Sequence, residues 1–304
     1  VETARGHLAP TPPLVPSRAR LIHAALELRT ADRPDRITSP AADHGVPPPG
    51  RSDPMTLTSA ALAILGVSIV ATSFLSGVFG MAGGLILIGV CLALMDVAPA
   101  MVLHGTTQLS ANAWRAFLWR GYIVWPILLR YAAATIAVFL VMRLFAFIPD
   151  KALIYILLGL MPFATDLLPK RWMPDIQRPG APYLCGGVVG FLQVIAGVGG
   201  NIVDVFFQNS KLDRRQIVAT KSSTQAVGHL MRVLYFGSFA EAASVDIPLW
   251  VYAAAIALAM LGTTLAGRAL DKMSEGDFRR YSRWLIQGVA VALLSRGIWL
   301  LISG

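Results

Sequence analysis

Of the 304 residues, 55% are hydrophobic and only 14% charged, where soluble domains carry roughly 25% charged residues, so lipid is expected as the main solvent. The formal net charge of +9 does not point to nucleic acid, because the basic residues sit in short connections between apolar runs and not on one polar module with interleaved aromatics. Cys91 and Cys185 stand alone in apolar surroundings without a CxxC partner, which reads as core filling and not as a metal site or a disulfide.

Residues 1–54 contain PTPPLVP, VPPPG and scattered charges of both signs. They are expected to be disordered or a loose arm, with one short amphipathic helix over RARLIHAALELR. Charged residues and prolines fill this stretch before any apolar region, unlike a signal peptide. Met55 then opens MTLTSAALAILGVSIVATSFLSGVFG, which reads as the start of a polytopic membrane protein, with the preceding residues as an upstream extension.

Apolar segments follow near residues 57–78, 83–98, 101–119, 122–145 and 152–168, and a second series near 182–197, 200–209, 215–237, 248–268 and 283–302. A helix needs about 20 apolar residues to cross a bilayer, so 83–98 and 200–209 are short. Each short segment follows a glycine-rich break, GVFGMAGG at 77–84 and GVVGFLQVIAGVGGN at 187–201. Broken backbone at membrane depth is tolerated only against protein or a wet cavity, so each break is expected to form a helical hairpin.

The two series match. Gly83-Gly84 corresponds to Gly199-Gly200, Thr107-Gln108 to Thr224-Gln225, and Arg115 to Arg232, with a one-residue change of offset between blocks. The expected organisation is a first membrane repeat over 55–168, a basic cytoplasmic linker over 169–181, and a second repeat over 182–304. Basic residues gather at Lys170, Arg171 and Arg178, at Lys211, Arg214, Arg215 and Lys221, and from Arg268 to Arg283. If those loops are cytoplasmic, an odd number of crossings separates the two breaks. The fold class expected is therefore an all-α polytopic membrane protein of two inverted-topology repeats, each a glycine-broken helical hairpin followed by three transmembrane helices.

With its duplicated glycine-rich breaks and the polar helices that follow them, the sequence resembles the TauE/SafE sulfite exporter family over residues 57–302. The resemblance implies an integral membrane protein with duplicated halves, moving sulfite, sulfur-containing organic anions or related small anions. Leu85 and Asn201 occupy the positions after the glycine pairs, where that family commonly carries a third glycine. Thr106-Thr107 and Ser222-Ser223 stand in place of its Thr-Ser pattern.

An anion at bilayer depth must exchange its water shell for hydrogen bonds or positive potential. Unpaired N–H groups at broken helix ends are suited to this, which nominates Gly83, Gly84, Gly199, Gly200 and Asn201. On the following helices, Thr107, Gln108 and Asn112 in the first half and Thr224, Gln225, His229 and Arg232 in the second are candidate substrate contacts. Gln108, Asn112 and Arg115 recur at spacings of four and three, as do Gln225, His229 and Arg232, so each set forms one helical stripe. Interhelical hydrogen bonding is the competing role for both glutamines. Arg115 reads as facing the cytoplasm and Arg232 as deeper, while His104 reads as structural or as guarding an outward entrance.

Asp204, just after the second break, could carry a coupling proton or pair with structural groups. No nucleophile–base pair, metal-ligand cluster or phosphate-binding loop is evident, so neither catalytic residues nor a resident cofactor are expected, with protons as coupling ions. The function expected is secondary transport or export of a small inorganic or organosulfur anion by alternating access, in the bacterial inner (plasma) membrane, with lipid as the other partner and no nucleic acid. A non-transporting membrane receptor or structural protein is the main alternative and a membrane sulfur-compound enzyme a weaker one. Monomer and homodimer are both open.

Overall fold

The computed structural model describes residues 58–79, 82–197, 199–240, 247–270 and 275–303; the expectations for residues 1–54 lie outside them. The described residues are helical, with no strand among them. In chain order the helices are α1 (Ser59–Phe79), α2 (Ala82–Leu94), α3 (Val97–Leu118), α4 (Trp125–Phe145), α5 (Lys151–Asp166), α6 (Ala181–Ile195), α7 (Gly200–Phe207), α8 (Arg214–Ala240), α9 (Leu249–Leu270) and α10 (Glu275–Ser303). Local chemistry sets several of these limits. Asp150 caps α5 by accepting from Leu153 N–H at 2.8 Å, Pro126 and Pro182 occupy first turns where their missing N–H is harmless, and Ala146 ends α4 in the left-handed region at φ 48°.

Among the described residues, four segments are long and apolar enough to cross a membrane: Ser59–Val78, Trp125–Phe145, Leu249–Gly267 and Arg283–Ser303. Large apolar side chains on them face outward, including Leu129, Leu140 and Leu144 of α4, Leu261 of α9 and Leu301 of α10. Surface apolar area on that scale is disfavoured in water and suited to lipid. The polar groups are inside instead. α3 and α8 pack together along their lengths, and His104, Thr107, Gln108, Asn112, Thr224, His229 and Arg232 are buried there.

Both glycine breaks interrupt helix. Gly83 lies so close to the backbone of Thr72 and to Ser76 of α1 that a side chain would overlap them, and a β-carbon at Gly199 would press on the Val189 side chain and face Gln193 of α6. In a continuous helix, residues 10 or 11 apart would be separated by about 15 Å, so neither α1 with α2 nor α6 with α7 is one continuous helix. The contacts also correspond: residues 72 and 76 are to Gly83 what 189 and 193 are to Gly199.

Other pairings fall into matching sets. α1 packs on α9 as α6 packs on α4, α2 meets α10 as α7 meets α5, and α3 meets α9 as α8 meets α4. α1 and α9 run in the same direction, with Gly66 against Leu258, Ser73 against Gly262 and Gly77 against Ala266. α4 and α6 do likewise, with Tyr131 against Gly186 and Thr135 against Gly190. α5 and α10 are antiparallel, since Gly159 meets Ala290 and Leu294 while Gly297 meets Tyr155 and Ile156. So are α3 and α8: His104 near the start of α3 meets Arg232 late in α8 at 2.7 Å, whereas Tyr122 and Val124, just beyond α3, bond Arg215 and Thr220 near the start of α8.

Candidate functional site

The polar seam between α3 and α8 centres on Arg232. Its side chain is fully buried, at 0% exposure, and among the described residues no carboxylate forms an ion pair with it. Its partners are neutral acceptors. Nη1 donates to Gly197 O at 2.5 Å and to Gln193 Oε1 at 3.4 Å, and Nη2 meets His104 Nδ1 at 2.7 Å and His229 Nδ1 at 3.1 Å. Nε is buried with no hydrogen-bond partner. A buried guanidinium whose charge is unopposed, and whose fifth donor points at nothing, is costly to maintain for structure alone.

The geometry assigns the imidazole protons. An arginine only donates, so Nδ1 of each histidine accepts and the proton of each neutral ring sits on Nε2. For His104 that proton is donated to Gly84 O, with Nε2 at 3.0 Å. The two rings stand edge to face, 6.1 Å between centroids. A chain of hydrogen bonds thus runs from Gly84, at the first break, through His104 and Arg232 to Gly197, at the second. Gly197 has φ +70°, and a β-carbon there would also press on Arg232 Nη1 and Met101 Sδ at 2.8 and 2.9 Å; only glycine fits.

The nominated residues divide between this seam and a second cluster. Gly84 and Gln108 adjoin each other, since a β-carbon at Gly84 would lie 2.7 Å from Gln108 Nε2. Gln108 is buried and Gln225 half-buried. Thr107 and Thr224 donate their hydroxyl hydrogens to their own helix, at Leu103 O and Lys221 O, and Asn112 Nδ2 does the same to Gln108 O at 2.9 Å. The two threonine hydroxyls therefore have no proton left to direct into the seam, while the Asn112 amide keeps one N–H. Gly83 and Gly199 serve as close-packing points on α1 and α6. Gly200 opens α7 and is buried.

Asn201 and Asp204 lie apart, lining a cavity of about 100 Å³ with Pro162, Thr165, Asp166 and Gln208. Asn201 is buried with Oδ1 unpartnered. Asp204 forms an ion pair with Lys221. Lys221 stands inside α8, about a turn and a half beyond Arg215, although in the sequence it groups with the basic residues Lys211, Arg214 and Arg215. Arg115 reaches only its own half, donating to Ser76 O at 3.4 Å.

Four participants are not nominated by the sequence as substrate contacts: His104, which reads there as structural or as guarding an outward entrance, and Gln193, Gly197 and Lys221. A signal existed for two of them. His104, Gln108, Asn112 and Arg115 are spaced four, four and three, and Lys221, Gln225, His229 and Arg232 repeat that spacing, so extending each stripe one turn backward finds both. Gln193 and Gly197 become meaningful only once α6 is folded against α8.

Among the described residues, no group of three or more His, Cys, Asp or Glu is placed to hold a metal ion. No curated protein and no solved structure shows significant similarity to the chain. A family model described as "Sulfite exporter TauE/SafE", however, matches residues 64–293, a stretch that contains both glycine breaks, the seam, the spans Trp125–Phe145 and Leu249–Gly267 whole, and part of the first and last spans. The chain therefore belongs to the TauE/SafE family and is an integral membrane transporter of the anion-exporter kind, not an enzyme.

Proposed function

We propose that the protein is a secondary transporter of a small sulfur oxyanion, sulfite or an organosulfonate, that binds at Arg232 between the two glycine breaks. The observation that carries this reading is a fully buried Arg232 without a carboxylate, held by Gly197 O and by two neutral imidazoles, with Nε unpartnered. An oxyanion there gains a full positive charge and a charge-assisted hydrogen bond, the strongest kind available. His229 Nε2–H and the amide of Gln108 are further donors buried on the same two helices. Gly83, Gly84, Gly199, Gly200, Asn201, Gln225, Thr107, Thr224 and Asn112 then act mainly by shaping the breaks and the seam.

The transport cycle follows from the proposed architecture, two inverted repeats each opened by a broken hairpin. The matched pairings support it, since the equivalent helices α3 and α8 run antiparallel, as do α5 and α10, while α1 on α9 and α6 on α4 are both parallel. Such repeats can exchange conformations and so open the same site to either face in turn. The bacterial inner membrane is the proposed location. Asp204 is engaged by Lys221 in an ion pair and lies apart from the Arg232 seam, so it is assigned a structural role and not that of a proton carrier.

Uptake by proteoliposomes, with a panel of sulfite, sulfate, sulfoacetate, taurine, thiosulfate and chloride, tests the reading. It predicts saturable flux of at least one sulfur oxyanion above chloride. Correctly inserted protein that moves none of the panel would favour the non-transporting receptor.

A further inference from the structure

The transport reading leaves unexplained why two imidazoles are placed against the one buried guanidinium. Both accept from Arg232 Nη2, which requires both to be neutral at Nδ1. A proton added to Nδ1 of His104 would set a donor against a donor and a second positive charge beside the first, so the arginine excludes it. An anion bound to Arg232 cancels the charge that does the excluding. It also offers an acceptor to the new Nδ1–H, in place of the lost contact with the guanidinium. Anion and proton are therefore mutually favoured at this site, by equal factors in each direction.

We propose that His104 is the proton-binding site that couples a proton to the transported anion, with Arg232 as the link between them. This deepens the transport reading and rests on it. Two observations select His104 over His229. Its contact with Arg232 is the shorter, 2.7 against 3.1 Å. Its other nitrogen holds Gly84 O of α2 at 3.0 Å, so it alone joins the first break to Arg232 and hence to Gly197 at the second. Protonation of Nδ1 breaks that junction at the step when the anion is present, freeing the two breaks to move relative to each other. The charged and titratable groups facing His104 are Arg232 and His229, both of α8; Cys91 of α2 lies near Arg232, and α1 contains no titratable residue. No carboxylate is among them.

The cargo proton enters and leaves with the anion, so the cycle is symport of one proton per anion. In proteoliposomes clamped at zero membrane potential, an acid-outside gradient of one pH unit then drives about tenfold accumulation of thiosulfate or sulfoacetate, whose charges are constant across neutral pH. His104→Gln keeps one acceptor toward Arg232 and one donor toward Gly84 but cannot take the proton. It is expected to equilibrate the anion and to lose accumulation, with a ratio of about one, whereas Asp204→Asn accumulates as the wild type does. Accumulation that survives in His104→Gln, or is lost in Asp204→Asn alone, overturns the assignment. Titration calorimetry of wild-type protein with thiosulfate, in buffers of different ionisation enthalpy, tests it without a variant: proton uptake on binding is expected, and none overturns it. Wild-type flux without any pH dependence refutes the coupling and leaves the transport reading standing. Absence of all flux refutes both.

Discussion

The stripes on α3 and α8 begin alike and are used differently. His104, Gln108, Asn112 and Arg115 on one helix match Lys221, Gln225, His229 and Arg232 on the other in spacing, and the two helices pack antiparallel as the inner pair. Yet Arg232 is fully buried and reaches across to His104, while Arg115 is only half-buried and touches the backbone of Ser76 in its own half. The opposite ends of the stripes differ too: Lys221 is neutralised by Asp204, whereas His104 bonds a backbone carbonyl. The helix pairings correspond between the halves but the buried charge does not. In the proposed cycle, matched halves would supply two openings and the one buried guanidinium a single place for the anion.

The largest effect that would break this comparison is at the two arginines. Arg232→Gln removes a charged donor and is expected to lower anion flux about 10- to 100-fold, corresponding to about 1.5–3 kcal/mol. Arg115→Gln should change flux by about twofold or less, as expected of a partly solvated contact. Equal losses in the two variants would restore the symmetric reading.

Next come the glycines at the breaks, where the halves should behave alike. Gly83→Ala and Gly199→Ala each force a β-carbon into the neighbouring helix and are expected to cost about 1–3 kcal/mol of stability, read as a lower unfolding temperature in detergent. A neutral result at one of them would mean that the corresponding close approach is not maintained. The glutamines should then separate the halves again. Gln108 is buried beside Gly84 and Gln225 is half-buried, so Gln108→Ala should reduce flux by about fivefold, one hydrogen bond's worth, and Gln225→Ala by less.

Smaller still is the ion pair of the second half. Asp204 and Lys221 keep 27% and 28% of their side chains exposed, so Asp204→Asn is expected to destabilise by about 1 kcal/mol or less. A larger loss of stability would make the pair a structural keystone of α7 on α8, with no equivalent in the first half.

Much of the fold was legible because hydrophobic length and glycine placement are local signals. All ten expected segments correspond to helices, with boundaries shifted by a few residues except at α10, which begins at Glu275 where the apolar run begins near residue 283. The polar first turns of that helix carry no apolar periodicity, so composition alone stopped short of them. The site was legible in its stripes but not in its wiring. Thr107 and Thr224 carry the chemistry an anion would want, yet each hydroxyl is consumed by the turn before it, an alternative always open to a helical threonine. His104 reads from sequence as structural or as an entrance guard because its role depends on Arg232, 128 residues further on. Lys221 groups with loop charges in the sequence for the same reason, since only the packing of α7 on α8 brings Asp204 to it.

The central claim is that a single anion site exists and that Arg232 makes it. Selenite, a heavier counterpart of sulfite, can be located by its anomalous scattering in crystals of the intact protein. The account predicts one strong peak within hydrogen-bonding distance of Arg232 Nε, absent in Arg232→Gln crystals grown alike. A peak elsewhere in the membrane region, or twin peaks of equal height near Arg115 and Arg232, would contradict it.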